Sequence, residues 1–133
     1  MSDDPNQDDA IHNERNVLGG PLLACSYAPL TGYFRDGCCA THGETGVAHL
    51  VCVQVTDDFL RFSRQRGNDL ITPRPEMRFR GLNHGDRWCL HVLRFVEAVQ
   101  ADMAPRVVLG STHEQVLRHV SLDVLKRHAL DLN

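Results

Sequence analysis

Two stretches dense in turn formers, residues 16–46 and 67–86, hold nine of the ten glycines and four of the six prolines, so regular structure has to fit between and after them. In the first, Gly19, Gly20, Pro21, Pro29, Gly32, Gly37, Gly43 and Gly46 favour turns joined by short extended pieces. No long helix fits there. The second, GNDLITPRPEMRFRGLNHGD, is an irregular connection of a length that is uncommon unless it packs or functions. It is the candidate binding loop.

The run VAHLVCVQV, residues 47–55, is rich in β-branched side chains and too apolar for a one-sided surface strand, which predicts a central strand. RWCLHVLRFVEAV alternates after the Gly85-Asp86 turn, with Trp88, Leu90 and Val92 on one face and Cys89, His91 and Leu93 on the other. It predicts a strand over 87–96 whose later half has the composition to curl into helix. Thr56, followed by Asp57 and Asp58 and ended by Gly67, predicts a helix over 56–66, since a hydroxyl and two acids satisfy and complement its N-terminus. Pro105–Leu109 reads as a short strand, and Thr112 with Gln115 as a capping box opening a helix over 112–120. A last helix over 122–130 starts near Ser121. The fold class is therefore α+β: a small mixed or antiparallel sheet covered by about three helices, with a long irregular loop and Trp88 substantially buried.

The first fifteen residues carry five acids against Arg15 and almost nothing apolar, and read as a disordered acidic tail before one globular domain at 16–133. Without them the chain has twelve acids against thirteen bases, a nearly neutral body that argues against nucleic acid as a partner. No apolar run reaches the length of a membrane span, and the N-terminus is acidic where a secretory signal starts basic. The expectation is a cytoplasmic protein with no membrane partner. In that compartment the five cysteines are expected as reduced thiols, metal ligands or catalytic groups, and their odd number argues against a purely paired framework.

Several uncommon clusters occur together after residue 15: NVLGGPL with Cys25, TGYFRDGCC at 31–39, His49 with Cys52, TDDFLRFSRQRGNDL at 56–70, TPRPE at 72–76, GLNHGDRWCL at 81–90 and APRVVLGSTHE at 104–114. In these the chain resembles the bacterial domain-of-unknown-function 2237 family. The resemblance implies a bacterial single-domain protein of that family's fold and unassigned activity, and carries over no catalytic residue. Against the family pattern, Cys89-Leu90-His91 stands where Cys-Leu-Cys is common, and Arg80 where proline usually precedes Gly-Leu.

Thiols and imidazoles fall in three places: Cys38-Cys39 on a turn, His49 and Cys52 on the first strand, and Cys89 with His91 on the second, with Cys25 apart. If the strands are neighbours, Cys52, Cys89 and His91 plus Cys39 make a four-ligand set that zinc would take. Buried cysteines acting as small hydrophobes are the plain alternative. A third reading makes Cys38 or Cys39 a catalytic thiol lowered by Arg35 and the Gly37 turn. A vicinal Cys38–Cys39 disulfide is the fourth. Arginine supplies a second constellation. Arg35, Arg74, Arg78 and Arg80 are the candidate ligand-binding residues for a small anion, whose planar pairing guanidinium suits, or for a protein partner. Two functions from different classes follow: a binding module that uses the 67–86 loop, or a thiol-based redox or zinc-dependent enzyme. Zinc is the cofactor these residues suggest.

Overall fold

The computed structural model describes residues 13–131; of the tail expected at 1–15, residues 1–12 lie outside them. At its centre β1 (His49–Gln54) pairs antiparallel with β2 (Arg87–His91) on one side and β3 (Arg106–Val107) on the other, in the order β2-β1-β3. Cys52 lies opposite Cys89 and Val53 opposite Trp88, with an irregularity in register between His49 and Val51. As the apolar run predicts, β1 is buried on both faces, so the sheet must be covered twice.

One face holds Val51, Val53 and Leu90 and packs on the helices; the main core joins them to Phe59, Leu60, Phe95, Val107 and Leu125. The other holds Cys52 and Cys89 and packs on Cys25, Cys39 and Val108, which come from the turn-rich segment and the end of β3. Helix α1 (Asp57–Gln65) starts where the sequence places it, Thr56 Oγ1 accepting from Phe59 N at 3.1 Å. Its end is held by Ser63 Oγ donating to the Asn68 carbonyl at 2.7 Å.

The second strand stops at His91, and α2 (Val92–Gln100) follows without a loop. Val92, Phe95 and Ala98 share one helical face and are buried, while His91 Nδ1 accepts from Leu93 N at 3.1 Å. Helical spacing and an N-cap thus end the alternation five residues before the expected strand end. Trp88 is 9% exposed.

The helix expected over 112–120 is only a 3-10 turn at Glu114–Arg118. Its cap is His113, because Thr112 faces inward, its Oγ1 donating to the Val108 carbonyl at 2.8 Å and accepting from Cys52 N at 3.1 Å. Helix α3 (Leu122–Arg127) starts on Ser121 and is shorter than expected, as is β3. Glu14 and Arg15, which composition places in the tail, belong to the fold. Glu14 accepts from Thr41 N at 2.7 Å, Thr41 Oγ1 at 2.8 Å and His42 N at 3.0 Å, and its Oε1 lies 2.8 Å from His113 Nε2. Among the described residues no helix is long and apolar enough to cross a membrane.

Candidate functional site

Cys52 and Cys89 are direct neighbours, and neither amide bonds across to the other strand. Cys52 N donates to Thr112 Oγ1 at 3.1 Å and Cys89 N to Thr31 Oγ1 at 2.8 Å. This is the non-hydrogen-bonded kind of antiparallel pair, which brings side chains closest. Each sulfur is nevertheless bonded to a cysteine of the turn-rich segment, Cys25 to Cys52 and Cys39 to Cys89, with Cα separations of 5.8 and 5.3 Å. The expectation of reduced thiols is corrected for these four. Packing brings the pairs together because the turns of residues 22–40 fold over the cysteine face of the sheet.

The candidate residues separate on this geometry. Cys38 is the free cysteine, buried, and burial followed by the charges of Asp36 and Glu14 pushes its thiol up to about 11. A thiol held protonated at neutral pH is a poor nucleophile, and Cys39 is bonded to Cys89, so neither is the activated thiolate that a catalytic role requires. Cys38 and Cys39 form no vicinal bond. Of the expected metal set, Cys39, Cys52 and Cys89 pack in one buried cluster, to which His91 does not belong. The sulfurs of Cys25, Cys39 and Cys89 lie within 4.8 Å of one another. Cys25, which sequence spacing left apart, takes the fourth place because a strand-to-loop contact across the sheet face has no local signature.

His91 belongs to a second feature, a trough along the free edge of β2. Its main part is a cleft of about 490 Å³ lined by His49, Leu70, Trp88, His91, Arg94 and Glu97 among others. An adjoining hollow of about 340 Å³ shares His49, Leu70 and Trp88 and adds Tyr33 and Arg35. A third, of about 190 Å³, adds Asp69 and Arg74. The rings form a row: Tyr33 stacks on His49 at 6.0 Å and His49 meets His91 edge-on at 5.2 Å between centroids. Burial, then His91 and Arg35, lower the His49 pKa; burial, then Arg94 and His119, lower that of His91. Both shifts favour the neutral imidazole.

Arg35 sits at φ 56°, a left-handed conformation rare outside glycine, with its guanidinium carbon 5.2 Å from the centre of the Trp88 ring. Glu97 is engaged by Arg94 at 3.3 Å and Arg66 at 3.4 Å. Hydrogen bonds from the Thr72 hydroxyl and amide and the Ile71 amide hold the Asp69 carboxyl down to about 2. Glu97 thus has arginine partners and Asp69 stays a charged carboxylate on neutral donors, whereas Arg35 and Arg74 have no carboxylate partner among the described residues. Arg78 caps a 3-10 turn at φ 55° and Arg80 pairs with Asp86 at 3.3 Å; neither lines the trough. Residues 67–86 line it through Asn68, Asp69, Leu70, Arg74, Met77 and Phe79. The sequence reading missed Tyr33, His49 and Arg94 as trough residues because they come from three distant segments.

A family model described as an uncharacterized protein conserved in bacteria (DUF2237) matches residues 15–129. No curated protein matches the chain.

Proposed function

Because the chain belongs to that bacterial DUF2237 family, whose description assigns no activity, its own surface has to carry the reading, and we propose that it is a binding module for a small anionic ligand seated in the trough beside Trp88. The observation that supports it is the pair of guanidinium groups, Arg35 and Arg74, in adjoining hollows that share the Trp88 indole, with Glu97 nearby already paired to Arg66 and Arg94. A guanidinium binds a carboxylate or oxyanion bidentately, and the row of flat rings suits a ligand with a planar apolar part.

The test uses two probes, sulfate as a bare oxyanion and benzoate as a flat carboxylate, titrated while the emission of Trp88, the one tryptophan, is followed. Saturable binding is expected, tighter for benzoate. Arg35→Ala and Arg74→Ala should each weaken it by about tenfold, the loss of about 1.4 kcal/mol, and Arg78→Ala should leave it unchanged. If neither probe binds, or if the Arg35 and Arg74 variants bind as the parent does, the reading falls.

A further inference from the structure

Independently of the trough, we propose that Cys25, Cys39, Cys52 and Cys89 are a redox-switched zinc site, holding one Zn2+ as four thiolates when reduced and closing into the two disulfides when oxidised. All four are at most 5% exposed, and they come from four separate places in the chain: two in the irregular segment before the sheet, one on β1 and one on β2. Four sulfurs so close in a tetrahedral zinc site stand about 3.8 Å apart, which follows from Zn–S bonds of about 2.3 Å. The sulfurs of Cys25, Cys39 and Cys89 already lie within 4.8 Å of one another, and breaking the bond between Cys25 and Cys52 frees the fourth corner. Cys52 shares their buried cluster, and the movement the site requires is a turn of its side chain toward Cys39 and Cys89 once the bond to Cys25 is open.

The strand cysteines are positioned without help from their sulfurs. Thr112 and Thr31 hold the amides of Cys52 and Cys89, so these two ligands stay in register whether the disulfides are closed or open. The remaining neighbours in the cluster are Val108 and Leu130, which offer no oxygen ligand; an all-thiolate set in an apolar shell selects zinc over magnesium or calcium. Cys38 packs in a different cluster, with Leu22 and Ala40, and takes no part.

The chemistry balances with ordinary cellular reactants. A dithiol reductant transfers two electrons and two protons to each disulfide, giving four thiols and two oxidised dithiols; Zn2+ then displaces the four protons. In the other direction, two molecules of hydrogen peroxide and four protons take four electrons from the thiolates. The products are two disulfides, four waters and a released zinc ion.

The test begins with the full chain reduced by a phosphine, supplied with zinc, and dialysed. It should retain about one equivalent of zinc, and peroxide should release it while restoring the Cys25–Cys52 and Cys39–Cys89 bonds. Cobalt in place of zinc should give the intense sulfur-to-metal absorption of a tetrathiolate, a readout that needs no variant. Cys38→Ser and His91→Gln should keep the metal, and Cys25→Ser should lose it or show three-sulfur cobalt spectra. The proposal is overturned if the reduced, folded chain keeps less than about a tenth of an equivalent. It is also overturned if His91→Gln loses the metal while Cys25→Ser keeps it.

Discussion

Glu14 ties three distant segments to one carboxylate: Arg15 onward, the turn at Thr41–His42, and His113 at the start of a 3-10 turn. His113 Nδ1 accepts from Gln115 N, which leaves Nε2 as the protonated nitrogen that donates to Glu14. Burial raises the Glu14 carboxyl, but the bonds from Thr41, His42 and His113 together outweigh it, and its pKa falls below the usual value. A carboxyl whose folded pKa is depressed contributes stability that is present above the unfolded value, about 4.3, and is lost as pH falls through the folded value. Glu14→Gln should therefore cost about 1–3 kcal/mol at neutral pH, measured by urea unfolding. The gap between variant and parent should close as pH drops through the carboxylate range; a gap that does not change with pH would refute the assignment.

At the scale of elements, the two threonines that precede helical turns have different duties. Thr56 caps α1 at the surface, so Thr56→Ala should cost about 1 kcal/mol. Thr112 is fully buried and serves β1, so Thr112→Val keeps the shape but strands the Cys52 amide and should cost about 1–3 kcal/mol. Thermal unfolding of both variants checks the order. This pair also shows what was legible in the sequence. Elements whose signals are local, such as β1, Thr56 with α1, and the Ser121 start of α3, stand where composition and spacing put them. Thr112 does not behave as a capping box because a partner sixty residues away takes its hydroxyl. The same reason separates the sites: the Cys52–Cys89 neighbourhood follows from two strands pairing, whereas Cys25 and the Tyr33–His49–His91 row depend on how turn-rich segments fold over the sheet. The 67–86 loop was legible as a binding element from length alone, but which of its arginines line the trough was not.

For the whole molecule, the sheet is the partition. One face is closed by three helices and an aliphatic and aromatic core, the other by turns with few apolar residues and two covalent links in their place. Those links are crossed in sequence: one spans residues 25 to 52, and the other starts inside that span and ends at 89. The chain between Cys25 and Cys89 is thus a closed network in which no backbone bond is the sole connection between the two ends. A protease that cuts once after Arg78 or Arg80, both exposed, would leave an oxidised protein in one piece under denaturing conditions. Trypsin-nicked protein should run as a single band on a non-reducing denaturing gel and as two bands once reduced; separation without a reductant would show that Cys39 and Cys89 are not joined. Such a molecule survives cleavage of its most exposed loop as a nicked but undivided chain, and only a reducing environment turns that nick into two fragments.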